Sequence, residues 1–199
     1  MKVILHAFLI LFGIGILILF VFIGLFMAGF GGFDKDYSVT ELKEHYEEKK
    51  TEIYDIKNYL NKIVPPGKSV NIEFDNNNTV GIFHVGVDSS FDINWDVKIN
   101  SEKAGTLLQK LGWTTETLKI LKEKLDKADC IGVSSGEPCQ INFQRSGMGR
   151  YSFNVFDKPI PDSLKPAYND GCRYIMVNDR FVLEYGGGAI GSQCFYNLE

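Results

Sequence analysis

The amino-terminal 33 residues constrain this chain most, because the run from Val3 to Phe33 contains no charged residue. Between Phe8 and Phe26 every residue is Phe, Leu, Ile or Val except three glycines. An α-helix is the only single-segment structure that satisfies the backbone polar groups of such a run in hydrocarbon. The run also exceeds the roughly 20 residues that a crossing helix needs. The sequence therefore predicts an N-terminal transmembrane helix over residues 1–33.

A cleaved signal peptide is the competing interpretation of this segment. Signal peptides have an apolar core of about 7 to 15 residues followed by a small-x-small cleavage site, and the core here is far longer. We therefore expect an uncleaved signal anchor of a single-pass protein of the bacterial envelope, with the membrane as its integral partner.

Charges beside the segment bear on its orientation. Lys2 and the amino terminus are positive on the short side, whereas Asp34, Lys35 and Asp36 nearly cancel on the other. Positive charge favours the cytoplasmic side. The domain after the segment is therefore expected on the extracytoplasmic side.

Three small residues, Gly24, Ala28 and Gly32, are spaced four apart and would line one face of the predicted helix. Such a face lets a second helix approach closely. Gly and Ala are also common in membrane helices whatever they pack against. Helix pairing through this face is therefore one of two open interpretations.

The rest of the chain has the size of one domain. Lys2 is the only charged residue before Asp34, so this part carries 20 Lys and Arg against 25 Asp and Glu. Its negative charge argues against nucleic acid, which requires a concentrated basic face. We divide it into a juxtamembrane helix over 34–66 and an α+β domain over 67–199, packed together as one unit.

The juxtamembrane helix is predicted from its start signal and its periodicity. Ser38 to Glu41 has the form of a capping box, and apolar residues at helical spacing follow it as far as Pro65-Pro66-Gly67. Two interpretations are open: a helix packed on its own domain, and a short coiled-coil stalk between protomers.

Periodicity also predicts the elements of the domain. Strands are indicated at 70–74, 80–82, 91–99, 140–144, 150–156, 172–177 and 181–185. Two helices lie between the third and fourth strands, one ending at Gly112 and one starting near Thr114 or Thr115. The fold class is therefore α+β: one N-terminal transmembrane helix followed by a single domain of mainly antiparallel sheet with three packed helices.

The four cysteines are Cys130, Cys139, Cys172 and Cys194, with no C-x-x-C pair and no clustered His. A structural zinc site would need unusual spacing, so no metal site is predicted. We interpret the cysteines as candidate disulfides. Three connectivities are possible, and short loops favour 130 with 139 and 172 with 194. In a cytoplasmic domain all four would instead be inert buried thiols.

Candidate catalytic groups are few. A Cys or Ser nucleophile needs a positioned base, and only His45 and His84 follow the apolar segment. His45 has charged neighbours and is expected in solvent. His84 lies mid-strand, where a structural imidazole is the simpler interpretation. No catalytic residue is predicted, although a membrane-anchored hydrolase or transferase built on His84 stays open.

The run from Gly186 to Gly191 satisfies the G-x-G-x-x-G pattern after a predicted strand. A dinucleotide site needs a long helix to follow this pattern, and only Ser192 to Glu199 remain. We interpret the glycines as a tight turn and predict no cofactor.

The segments Arg145-Ser146-Gly147-Met148-Gly149, Asp170 to Ile175 and Val182 to Phe195 are similar to those of small, uncharacterised bacterial single-span membrane proteins. The resemblance covers about the second half of the domain and implies no activity. Together with the preceding features, it leads us to expect a single-pass membrane-anchored protein that displays a small non-catalytic α+β binding domain for a protein partner.

Overall fold

The computed structural model describes residues 2–29, 34–88, 90–147, 149–187 and 191–195, and within the first helix the side chains of His6 and residues 12–28. Within these residues the chain forms an α+β fold of four helices and nine strands. The helices are α1 Lys2–Gly29, α2 Val39–Ile63, α3 Glu102–Leu111 and α4 Thr115–Lys127.

Helix α1 is apolar, and its described side chains are largely exposed, among them Phe20, Phe22 and Leu25. In the part of the chain that the structure describes, no helix is long and apolar enough to cross a membrane. The prediction of a transmembrane helix over 1–33 is corrected on this finding, and the α+β part of the predicted fold class stands.

Helix α2 begins at the predicted capping box. The Ser38 hydroxyl accepts a hydrogen bond from the Glu41 amide at 3.2 Å, and the Glu41 carboxylate accepts one from the Ser38 amide at 2.8 Å. Leu42, Ile53 and Leu60 of its apolar stripe are buried in the main core. Of the two sequence interpretations, the structure therefore supports a helix packed on its own domain.

Helices α3 and α4 are joined where the sequence predicts. Gly112 ends α3 in the left-handed region at φ 72°, which glycine adopts without strain. The Thr114 hydroxyl caps α4 by accepting from the Thr117 amide at 3.2 Å. Between them, the buried Trp113 donates its indole N–H to the Ile63 carbonyl at 2.7 Å and so ties this hairpin to the end of α2.

The strands are β1 Lys68–Phe74, β2 Thr79–Val87, β3 Ser90–Asp92, β4 Trp95–Lys98, β5 Gly132–Ser134, β6 Cys139–Ser146, β7 Gly149–Val155, β8 Tyr174–Asn178 and β9 Phe181–Tyr185. They form one sheet in the order β3-β2-β1-β5-β6-β7-β9-β8, and β4 also pairs with β2. Each pairing among these described strands is antiparallel.

One face of the sheet packs on α2, α3 and α4. Ile72, Phe83, Val133, Phe153 and Leu183 lie on this face and are buried in the main core. Because side chains alternate along a strand, the residues between them point to the other face. We call this second face the open face. A smaller cluster of Phe156, Ile160 and Val182 covers one end of it.

Two strands differ from the sequence prediction. The predicted strand over 91–99 is divided into β3 and β4, because the Asn94 side-chain amide donates to the Phe83 carbonyl at 3.2 Å and to Asp92 Oδ1 at 3.0 Å. Strand β5 was not predicted, since three residues are too few to show an alternation. It nevertheless joins β1 to β6 in the middle of the sheet.

Candidate functional site

The open face carries two rows of polar residues that run across the strands. Residues directly opposite each other in an antiparallel ladder share one face. The first row is Glu73, Gly132, Asn142, Ser152 and Glu184, and the second is His84, Asn71, Ser134, Gln140 and Asn154. We call these two rows the polar face.

The buried Glu73 binds two arginines from the far side of the central strand β5. Arg145 Nε donates to Glu73 Oε1 at 2.5 Å, and Arg150 Nη1 donates to Oε2 at 3.2 Å. The two arginines are opposite each other in the ladder, where like charges repel, and the carboxylate offsets that repulsion. Gly132 has no side chain on the strand that the arginines cross, and a Cβ there would lie 2.4 Å from the Ile72 carbonyl oxygen.

Glu184 is the second buried carboxylate of the polar face. It accepts hydrogen bonds from Gln140 Nε2 at 2.6 Å, Asn154 Nδ2 at 2.8 Å, Arg173 Nε at 3.0 Å and Tyr174 Oη at 3.2 Å. Burial, together with the Glu184 charge, raises the pKa of Tyr174 to about 12, so the phenol keeps its proton. Such donors compensate the cost of burying the charge.

Three buried side-chain atoms of the polar face have no hydrogen-bond partner among the described residues: Asn71 Oδ1, His84 Nε2 and Asn142 Nδ2. Unsatisfied buried groups are uncommon, and each costs about 1 to 3 kcal/mol. Asn71 and His84 are directly opposite each other on β1 and β2. Two of the three unsatisfied atoms therefore lie on the β1–β2 side of the polar face and the third lies on β6, whereas the Glu184 carboxylate is bound by its own donors.

Three exposed apolar side chains lie beside these unsatisfied groups. Phe91, Ile93 and Trp95 are 70%, 60% and 58% exposed, and among described residues outside α1 the only other large apolar side chain exposed in this way is Leu164. We call Phe91, Ile93 and Trp95 the aromatic edge. The sequence indicates a strand over these residues, and the structure places β3 and β4 at the margin of the sheet, where no further strand pairs with them in the described chain.

The two rings of the aromatic edge rest on β2. Phe91 is opposite Gly86, and a Cβ on that glycine would lie 3.0 Å from Phe91 Cε1. Trp95 is opposite Ile82 and stands edge-on to His84, with ring centroids 5.0 Å apart. Gly86 thus makes room for one ring, and the other ring contacts the imidazole of the polar face.

The two histidines singled out from the sequence have different environments. Burial lowers the pKa of His84, so the imidazole is predominantly neutral at pH 7. His45 is half-buried against Phe143 and Phe153, and its Nε2 lies 3.0 Å from the Ala128 carbonyl oxygen. The expectation that His45 lies in solvent is therefore wrong. A hydrolase or transferase built on His84 stays a prediction.

The cysteines form one of the two expected disulfides. Cys172 and Cys194 are bonded, whereas Cys130 and Cys139 are buried free thiols. The free pair lies at opposite ends of the β5–β6 hairpin, about five residue steps or roughly 16 Å apart. A disulfide needs Cα atoms within about 7 Å, so the expected pairing of 130 with 139 is corrected. Burial raises the pKa of both thiols, which makes them unreactive.

The small-residue face of the first helix is only partly described. Gly24 and Ala28 lie one turn apart on α1, and a Cβ on Gly24 would meet nothing within 4 Å. Gly32 lies outside the described residues. Helix pairing through this face therefore stays a prediction.

The glycine-rich run near the carboxy terminus turns the chain sharply. Gly186 and Gly187 have positive φ angles, and the Gly187 amide donates to the Gly191 carbonyl at 2.6 Å. Residues 188–190 of the run lie outside the described part. Elsewhere in the described chain, no three His, Cys, Asp or Glu side chains are placed to hold a metal ion.

Comparison of the chain with known protein families, with curated proteins and with solved structures finds no match. The resemblance to single-span membrane proteins stays a prediction.

The polar face was not recognised from the sequence, although a signal for it exists. Asn71 and Glu73 alternate with buried apolar residues, as do Gln140 and Asn142, and Ser152 and Asn154. Only the register shows that the polar residues of separate strands meet in two rows.

Proposed function

We propose that this protein is a non-catalytic binding domain that works outside the cytoplasm and contacts its partner through the aromatic edge. The exposure of Phe91, Ile93 and Trp95 carries the proposal. Clustered exposed apolar side chains mark interaction surfaces, and aromatic residues are enriched among those that dominate binding energy.

The position of the aromatic edge supports the proposal that its exposure serves binding. The adjacent polar face holds unpaired polar atoms of Asn71 and His84. A partner that covers the rings removes their apolar surface from water. If it also forms hydrogen bonds to these two atoms, it removes the free-energy cost of leaving them unpaired.

The disulfide between Cys172 and Cys194 supports the proposed location. Structural disulfides persist in oxidising compartments and are rare in the cytosol. Alkylation of thiols in acid-quenched cells, carried out in denaturant and before any reduction, tests this point. We expect two of the four cysteines to be alkylated directly, and direct alkylation of all four would place the domain in a reducing compartment.

The binding function is tested by a photo-crosslinking amino acid placed in the full chain within cells. At Ile93, in the middle of the aromatic edge, we expect a covalent adduct after illumination. The matched control is the same amino acid at Leu164, which is also exposed but lies outside the edge. No adduct from position 93, or equal adducts from both positions, would refute the proposal.

A further inference from the structure

The spacing of the two aromatic rings sets the length of the ligand that reaches both. Phe91 and Trp95 are opposite Gly86 and Ile82, four residues apart on β2. Four residues of a strand span about 13 Å. A ligand that contacts both rings is therefore elongated and consists of more than one ring-sized unit.

Polar groups without partners lie between the two rings. His84 is midway between Gly86 and Ile82 on the same face, and its neighbour Asn71 follows on β1. His84 Nε2 and Asn71 Oδ1 have no hydrogen-bond partner among the described residues. Next to them the second row continues with the Ser134 hydroxyl, whereas the Gln140 carboxamide beyond it already donates to Glu184 and accepts from Arg150. The surface between the rings thus offers both donors and acceptors.

The unpaired atoms are out of contact with solvent, so a ligand reaches them when a neighbouring side chain moves. Trp95 contacts His84 edge-on and is itself exposed. Exposed side chains change rotamer within picoseconds to nanoseconds. Movement of the indole therefore exposes the His84 imidazole without unfolding the sheet.

The charges near the site select against an anionic ligand. His84, Asn71 and Ser134 carry no charge when the imidazole is neutral, and burial lowers the His84 pKa. The nearby arginines, Arg145 and Arg150, both donate to the Glu73 carboxylate. Beside β4, desolvation and the charge of Asp96 raise the pKa of Asp75. These two carboxylates make the surface next to Trp95 acidic. A nucleic acid would meet repulsion there instead of the basic surface that it requires.

The geometry points to an oligosaccharide chain without negative charge as the ligand of this site. Its C–H faces lie on Phe91 and Trp95, because the negative face of an aromatic ring attracts the partial positive charge of C–H groups. Its hydroxyls form hydrogen bonds with His84 Nε2, Asn71 Oδ1 and the Ser134 hydroxyl of the same row. This inference rests on the proposed binding function and adds the class of ligand.

The two tryptophans of the chain provide the readout. Trp95 is exposed at the site, whereas Trp113 is buried with its indole N–H bonded to Ile63. The full chain, labelled with ¹⁵N and kept in a detergent that has no sugar headgroup, is titrated with di- and tetrasaccharides of glucose and of N-acetylglucosamine. We expect the Trp95 indole signal to shift and the Trp113 signal to stay.

Affinity measured by calorimetry for the tetrasaccharide supplies the second test. Phe91→Ala and Trp95→Ala each remove one ring contact, and we expect each to weaken binding about tenfold. Leu164→Ala is the matched control and retains wild-type affinity. The unfolding midpoint of each variant verifies that the fold is intact.

Two outcomes overturn the inference. One is the absence of a Trp95 shift with every saccharide at millimolar concentration, and the other is equal binding by the Trp95→Ala and Leu164→Ala variants. If either occurs while position 93 still forms a crosslink to a protein, the binding function stands and the ligand class is wrong. If position 93 also forms no adduct, both proposals fail.

Discussion

At the scale of single residues, Lys57 holds α2 to the sheet. This lysine is 1% exposed, and its Nζ donates to the Val155 carbonyl at 2.8 Å and lies 3.0 Å from Asp157 Oδ1 and 3.6 Å from Glu137 Oε2. Both carboxylates are about half exposed. Water therefore solvates them in part, which reduces the cost of losing the lysine.

Replacement of Lys57 by Met removes the charge and keeps most of the side-chain volume. We expect the free energy of unfolding to fall by about 2 kcal/mol. The Val155 carbonyl loses its charged donor, and the ion pairs of Lys57 with Asp157 and Glu137 are broken. Urea unfolding measures the change. Lys124→Met is the control, since its pair with Asp55 is at the surface, and it should cost under about 1 kcal/mol. Equal losses in the two variants would contradict the role assigned to Lys57.

His84 makes stability depend on pH in a predictable direction. Burial lowers its pKa in the folded chain, so the unfolded chain binds the proton at a higher pH. The stabilisation is complete above the unfolded pKa of about 6.5 and is lost as the pH falls through the folded value. We expect the free energy of unfolding to decline more steeply between about pH 7 and 5 in the wild type than in His84→Gln. Parallel profiles of the two proteins would show that His84 does not titrate in this way.

At the scale of elements, the close approach of β5 to β1 depends on Gly132. A Cβ at this position would meet the backbone of Ile72 at 2.4 Å and of Glu73 at 2.8 Å. Two backbones that are both held in a ladder cannot move apart without the loss of hydrogen bonds. This requirement explains why the central strand carries a glycine that contributes nothing to the core.

Gly132→Ala should therefore lower the free energy of unfolding by about 1 to 3 kcal/mol. Gly105→Ala is the matched control, because Gly105 lies inside α3 and a Cβ there meets nothing within 4 Å. Alanine is favoured over glycine in a helix by about 1 kcal/mol, so this variant should be stabilised. Thermal and urea unfolding measure both changes, and the same sign in both variants would contradict the contacts described here.

At the scale of the whole molecule, the disulfide closes the segment between Cys172 and Cys194, a sequence separation of 22 residues. The cross-link restricts the unfolded chain, which for a loop of this length stabilises the folded state by about 3 kcal/mol. The double variant Cys172→Ser/Cys194→Ser should lose this amount in urea unfolding. A reductant should destabilise the wild type and leave the double variant unchanged, since Cys130 and Cys139 are already thiols. An equal effect of the reductant on both proteins would mean that the bonded pair is a different one.

The helices of the domain could be predicted from the sequence, because their signals are local. Ser38 with Glu41, and Thr114 ahead of α4, cap helices within four residues of chain. The strands at 172–177 and 181–185 were also indicated by local alternation, and they pair as the β8–β9 hairpin with its turn at residues 179 and 180. The open face lacked such a signal, because two rows of polar residues from separate strands align only when the register of the sheet is known.

The sequence by itself determined where helices begin and end and which strand positions are apolar, since capping and periodicity act over a few neighbouring residues. The tertiary structure alone decided that Phe91 and Trp95 are exposed, that Glu73 is buried beneath two arginines, and that Cys130 and Cys139 are too far apart to pair. Each of these depends on which strands become neighbours, and that is settled by contacts between residues far apart in the chain.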